Sequence, residues 1–419
     1  MSHTHHHDSG ENLSPPQRRK VRLILAALVV PLALATAVFL VAMWPGGDSP
    51  VGSIPINAPG VERATGVITS IGEMDETGQT PVMMETSGIE VPVHVPYDIV
   101  LNGLAVDDEI RATFNPNALG SGTPYVFSDF VRTVPLAILV GIYLLSVLIV
   151  ARLKGLMAMV GLGVSLAVVG MFILPALMSG QQPLAVILVG AAAMMFASIY
   201  LAHGVSIRTT TAVLGTFGGL VITLVLSLWA VDSMRLTGTS SEDALMLMGE
   251  LPGLDMSSIL LCGMLLAGLG ALNDVTITQV STVWELHAAN PATTRRRLFA
   301  QGMAVGRDHI ASTVYTLAFA YVGTALPVLM AAALMQRSTV DLLQVSQVAE
   351  EIARTLTASV GLILAIPLTT AIAASLAPVA PAKARRIRSE HTDVRGVAGD
   401  GEHREESKRS GEASAERSD

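Results

Sequence analysis

The chain has 419 residues, 51% of them hydrophobic and only 14% charged, with a mean hydropathy of +0.55. Soluble chains carry about a quarter charged residues, so the composition excludes a soluble enzyme; the apolar residues gather in blocks of about 20, the length that takes a helix across a hydrocarbon core. The formal net charge of −8 excludes little, because acidic and basic residues are segregated along the chain, and the single cysteine, Cys262, rules out a disulfide framework.

In chain order, residues 1–20 form a flexible arm in which His3, His5, His6 and His7 stand within five positions. Such spacing is a weak divalent-metal candidate; the other reading is the remnant of an affinity tag. Eight apolar spans follow, at 21–44, 134–151, 156–178, 183–202, 209–230, 257–279, 312–335 and 356–378. The first lacks a small-x-small cleavage site and reads as an uncleaved anchor. Lysine and arginine are retained on the cytoplasmic side of a membrane. Arg18, Arg19, Lys20, Arg22, Arg152, Lys154, Arg208, Arg295 to Arg297, Arg307 and the basic run from Lys383 to Arg388 fall on one side of this arrangement. Both termini are therefore expected in the cytoplasm. Trp44, Trp229 and Trp284 lie near predicted span ends, where interfacial tryptophans belong.

Residues 45–133 form a segment expected outside, with twelve acidic residues against three arginines and no lysine. Runs at 62–71, 81–85, 89–95, 109–114 and 125–131 read as short strands, the second and third joined at Ser87-Gly88, and suggest a small antiparallel barrel or sandwich. Its acidity suits a solvated surface or a basic ligand, and His94 stands alone in its strand. Farther on, Leu342, Val345, Ala349, Ile352 and Leu356 recur at 3,4 spacing, so 336–355 predicts an amphipathic helix with Glu350, Glu351 and Arg354 on its wet face. Residues 379–419 are polar and read as a disordered tail.

Polar chemistry enters the membrane in the sixth span. Gly263, Ala267, Gly270, Asp274, Thr278, Ser281 and Glu285 are spaced to share one helical face, and Asn273 and Gln279 lie close by. A charged side chain at such depth costs a few kcal/mol unless paired, hydrated or protonated, so Asp274 is expected to face the bundle interior or a water-filled path; a purely structural hydrogen-bonding role is the alternative. Its expected partner is Arg307, with Asp308, His309 and Ser312 nearby at the start of the seventh span. Alternatively, Arg307 and Asp308 cap that helix and anchor it among headgroups. Gly215, Gly218 and Gly219 predict close helix packing, and Pro175 and Pro367 permit kinks. No zinc-protease, nucleophile-elbow, P-loop or nucleic-acid-binding pattern occurs.

Taken together, ARLKGLMAMVGLGVSLAVVGMFILPALMSG (151–180), LAHGVSIRTTTAVLGTFGGL (201–220), GALNDVTITQVSTVWEL (270–286), AVGRDHIASTVYTLAFAYVG (304–323) and RTLTASVGLILAIPLTTAIAA (354–374) resemble the YibE/F family of bacterial multi-spanning membrane proteins. The YVFSDFVRTVPL run (125–136) is similar to that family's Asp-aromatic-x-Arg sequence, and the resemblance extends over roughly 60–378. It implies a polytopic, permease-like protein of the bacterial cytoplasmic membrane and places Asn273, Asp274, Gly306, Arg307 and Asp308 in group motifs, but it supplies no substrate. Asn273 stands where family members often have Ala or Met.

The expected architecture is thus an α-helical bundle of eight spans with an external β-rich domain between the first two. The expected function is passage of a small solute or ion along Asn273, Asp274, Thr278, Gln279, Ser281, Arg307, Asp308 and Ser312, with no enzyme activity, cofactor or nucleic acid. The alternative is a non-transporting assembly or signalling protein that acts through the external domain on a membrane partner or as a homo-oligomer.

Overall fold

The computed structural model of the chain describes residues 15–46, 50–55, 59–74, 79–121, 124–334 and 338–377. The N-terminal histidines and the 379–419 tail lie outside the described residues. The described residues form two compact units, one within 50–159 and the other from the described residues before 50 and after 159.

In the first unit, β1 (Glu62–Ile71), β2 (Gln79–Thr86), β3 (Ile89–Pro96), β4 (Glu109–Phe114) and β5 (Tyr125–Phe130) close into a barrel of order β1-β2-β3-β5-β4. Alternate residues point inward, as the two-residue period of a strand requires. Val82 and Met84, Val93 and Val95, and Ile110 and Ala112 fill the core with Ile68. Ser87 and Gly88 both take positive φ, 53° and 78°, which suits a two-residue hairpin matched to the strand twist. The barrel is not wholly antiparallel: β3 and β5 run parallel through Val93↔Tyr125 and His94↔Val126. The short helix α2 (Tyr97–Leu101) follows β3, and a five-stranded closed barrel of this connectivity has the OB arrangement.

The long helix α3 (Thr133–Val168) begins in this unit and is interrupted at Arg152, whose φ of 52° and ψ of −137° are not helical. A Cβ placed on Gly155 would lie 2.7 Å from the Val147 side chain. Residues eight apart on a straight helix are separated by about 12 Å, so the chain turns sharply there.

In the second unit, α1 (Pro15–Ala42), a π-helical turn (Val169–Ile173), α4 (Leu174–Met178), α5 (Pro183–His203), α6 (Ile207–Ser233), α7 (Glu242–Glu250), α8 (Met256–Ala289), α9 (Arg295–Leu334), α10 (Thr339–Leu343) and α11 (Ser346–Leu376) follow in order. Among the described residues, seven helical stretches are long and apolar enough to cross a membrane, one of them Thr133–Met178, which contains the Arg152 break. The sixth and seventh predicted spans are longer than their apolar blocks, because α8 and α9 continue as helices through the polar residues up to the 290–294 connection. Arg307 and Asp308 therefore lie inside α9 and cap nothing.

Helices α6, α8 and α11 pack together as the core, with α5 and α9 against it. Glycines permit the close approach. A Cβ on Gly219 would sit 2.6 Å from Leu272 and 2.9 Å from Ala365, and one on Gly361 would overlap the Thr223 hydroxyl. Trp284 packs within the protein rather than facing outward: it is buried on α8 in a cluster with Leu25, Ile207, Leu298 and Ala373. The amphipathic segment before the last span divides into α10 and the first turns of α11, and its wet face is revised. Glu350 is only 7% exposed and accepts hydrogen bonds from the Gly238 N–H at 3.1 Å and the Ser240 hydroxyl at 2.6 Å. It fastens the 236–241 loop to α11.

Candidate functional site

Helix α8 carries most of the polar residues singled out in the sequence, and tertiary packing separates them. One flank faces protein. Gln279, 2% exposed, donates from Nε2 to the Gly302 carbonyl at 2.9 Å and to the Thr370 hydroxyl at 2.7 Å, tying α8 to α9 and α11. Thr276 shares a 2.7 Å hydroxyl contact with Thr216 of α6. Asn273 donates to the Ser198 hydroxyl of α5 at 2.9 Å. These bonds tie α8 to its neighbours, so Gln279 and Asn273 hold the bundle together.

The opposite face is open. Asp274, Gly270 and Glu285 are exposed, and Gly263, Ala267, Thr278 and Ser281 are partly exposed, so the predicted small and polar face exists as one continuous surface. Of the two expected surroundings of Asp274, the bundle interior or a water-filled path, the first is not met: α5, α6, α9 and α11 pack against α8, while Asp274 is exposed. The Asp274 carboxylate makes no hydrogen bond or ion pair with any described residue.

The expected Asp274–Arg307 pair does not form. Arg307 is exposed on α9 and donates from Nε to the Met303 carbonyl one turn back, at 3.2 Å. The inward positions of α9 at this level are Gly302 and Gly306; a Cβ on Gly306 would lie 2.7 Å from Ile366 and 3.1 Å from Gln279. Helical geometry then turns Arg307, Asp308 and Ser312 outward, and all three are exposed.

The cations at the α8 face come from other helices. At one end, Arg208 of α6 donates from Nη1 to Glu285 Oε1 at 2.7 Å. At the other, Arg354 of α11 brings Nη2 to 4.0 Å from where a Cβ on Gly263 would be. The face thus has a guanidinium at each end and an unpaired carboxylate, Asp274, between them. From the sequence alone, Arg208 reads only as one of the cytoplasmic-side cations and Arg354 as a wet-face residue. The available signal was that each sits within a few residues of an apolar block, where a charge needs a partner.

Outside the membrane-length helices, Asp255 caps α8 by accepting from the Ser257 N–H at 3.1 Å, with the Ser257 and Ser258 hydroxyls at 2.8 and 2.6 Å. Those hydrogen bonds, the Ser258 hydroxyl's first, hold its carboxyl below the usual carboxylate range. Among the described residues no group of three or more His, Cys, Asp or Glu side chains is placed to hold a metal ion.

Neither the comparison with curated proteins nor that with solved structures gave a match. The family model described as YibE/F-like protein matches residues 139–378, a range that takes in α5, α6, α8, α9 and α11, the open α8 face and both of its flanking arginines. The match covers more than half of the chain, which belongs to the YibE/F-like protein family.

Proposed function

We propose that the protein is a permease-like transporter of the bacterial cytoplasmic membrane, in which the open face of α8 lines the route of an ion or small polar solute and Asp274 is its coupling carboxylate. One observation carries this reading: Asp274, near the middle of a 34-residue helix, is exposed and unpaired on a surface that also bears Thr278 and Ser281. Hydrocarbon is a poor environment for such a carboxylate, so this face borders water or a polar solute when the protein is in a bilayer. The charges at its two ends are suited to guiding a polar species along it.

The same reading takes eight crossings. A straight 46-residue helix from Thr133 to Met178 would be about 69 Å long, over twice a hydrocarbon core of about 30 Å. The reversal at Arg152, beside Lys154, supports reading it as two spans joined by a basic turn. On this reading of eight spans, the positive-inside rule favours both termini in the cytoplasm and the barrel outside. Lipid is the protein's immediate partner, and the reading includes no chemical step.

The test is flux through the full-length chain reconstituted in liposomes, with a trapped pH-sensitive dye reporting protons driven by an imposed potential. Asp274→Asn is expected to reduce flux at least tenfold without altering the melting temperature by more than a few degrees. Equal flux in the two proteins would sink the role of Asp274, and absence of flux of protons, sodium or potassium through the unmodified chain would favour the non-transporting assembly.

A further inference from the structure

Asp274 and Arg307 each lack a counter-ion, and they stand at the same depth. The Asp274 carboxylate has no partner among the described residues, and Arg307 uses Nε alone, leaving both Nη groups without a described hydrogen bond or ion pair. Depth follows from the 2.9 Å bond between Gln279 Nε2 and the Gly302 carbonyl. It sets these residues level on α8 and α9, which a short connection joins as an antiparallel pair. Five residues before Gln279 stands Asp274, and five after Gly302 stands Arg307, each about 7.5 Å along its helix toward the same end of the bundle. Both helices are long and apolar enough to cross the membrane, where an unpaired charge is costly.

Within one chain the two groups face apart. Successive residues turn by about 100°, so Asp274 lies about 140° round α8 from Gln279, and Arg307 about 140° round α9 from Gly302. Because the helices are antiparallel, both turns have the same sense seen from one end of the bundle, and the side chains leave opposite sides of the hairpin. The cations at the ends of the α8 face, Arg208 and Arg354, are already paired with Glu285 and Glu351. The apolar stretch 134–151 carries no charged residue.

A second copy supplies what the first lacks. Copies inserted in one bilayer share orientation and depth, so α9 of a neighbour runs antiparallel to α8 with its arginine level with Asp274. The same register sets Glu285 opposite Arg296, Ser281 opposite Ala300 and Gly270 opposite Ala311, and none of these residues is buried. Opposite charges thus meet at two levels and small residues at two others, which suits close helix association in lipid. Glu285 engages Arg208 through Oε1, and its Oε2 is left for a second guanidinium.

We propose that the protein assembles with copies of itself, α9 of each copy lying on the open α8 face of the next, so that Arg307 of the partner subunit pairs with Asp274. Because the two faces leave opposite sides of the hairpin, the contact is head to tail, and copies related by rotation about the membrane normal close into a ring. The polar stripe of α8 is complete only in this assembly. A solute passing Asp274 then moves between two copies, with Arg307 of the partner subunit as counter-charge. That last step alone rests on the transport reading; the contact itself is measured by cross-linking, without flux, so either can fail alone.

The test uses the full-length chain in membrane vesicles. Cys262 is buried, so introduced cysteines report with little background. Gly270→Cys/Ala311→Cys, oxidised with copper phenanthroline, is expected to give a reducible ladder of linked dimers, trimers and larger species on a denaturing gel, while either single variant alone stays monomeric. Co-expressed as two separate single variants, Gly270→Cys and Ala311→Cys are expected to give linked dimers and nothing larger. Arg307→Asp in the double-cysteine chain is expected to lower the linked fraction by about tenfold, because it sets like charges against each other. Adding Asp274→Arg is expected to restore the links, a recovery that an unfolded variant would not show. Absence of linked species, a link formed within one chain, a linked fraction unchanged by Arg307→Asp, or failure of Asp274→Arg to restore it would overturn the proposal. So would a double-cysteine product that stops at the dimer, which would make the contact two-fold rather than head to tail.

Discussion

Asp274 and Gln279 are five residues apart on one helix and meet opposite environments. Successive helical residues turn by about 100°, which puts the two side chains roughly 140° apart; Gln279 enters the contact between three helices and Asp274 faces away from it. Their spacing was legible in the sequence, but the direction in which neighbouring helices lie was not. Asp255 is a residue whose effect is local enough to forecast. Its carboxyl is held below the usual range by the Ser257 and Ser258 hydrogen bonds, so its capping contribution is complete above about pH 4, the ordinary carboxylate value, and is lost as pH falls through the lowered folded value. Asp255→Ala is expected to cost about 1 kcal/mol at pH 7. Thermal melts of the two proteins should converge once pH has fallen below the lowered folded value and the carboxyl is protonated in both states; a gap that persists there would mean that the side chain acts by packing rather than as a charged cap.

At the scale of elements, glycine positions set how closely α6, α9 and α11 approach their neighbours. Small residues matter in a bilayer because helices associate there mainly through van der Waals contact and interhelical hydrogen bonds. Gly361 faces Thr223 so closely that a Cβ has no room, and Gly361→Ala is expected to destabilise the bundle by about 1–3 kcal/mol. Removing the Thr223 hydroxyl and methyl should relieve the overlap, so the double variant Gly361→Ala/Thr223→Ala is expected to recover most of the lost melting temperature. Additive losses would show that the two positions do not meet. The Pro175 kink was likewise legible, since proline removes a backbone donor, but the form it takes was not: a π-helical turn at Val169–Ile173 immediately precedes α4, which has Pro175 in its first turn, a common way to bend a helix.

For the whole molecule, the distribution of lysine and arginine predicts a sidedness that labelling can read directly. Cys262 is the single cysteine and is buried, so an introduced cysteine reports with little background. Ser87→Cys, at the barrel hairpin, is expected to react with a membrane-impermeant maleimide in intact cells, whereas Asn290→Cys, between α8 and α9, should react only after permeabilisation. The reverse pattern would invert the orientation. The sequence by itself determined that this is a membrane protein, where its apolar helices and five strands lie, and which helix carries the polar stripe, because hydropathy, period and charge are properties of consecutive residues. Tertiary structure decided what those residues meet. It closed the barrel through one parallel pairing, buried Glu350 against a loop 110 or more residues earlier in the chain, left Asp274 without Arg307, and brought Arg208 and Arg354 to the α8 face instead. Such contacts depend on how helices far apart in sequence pack side by side, which no local pattern specifies.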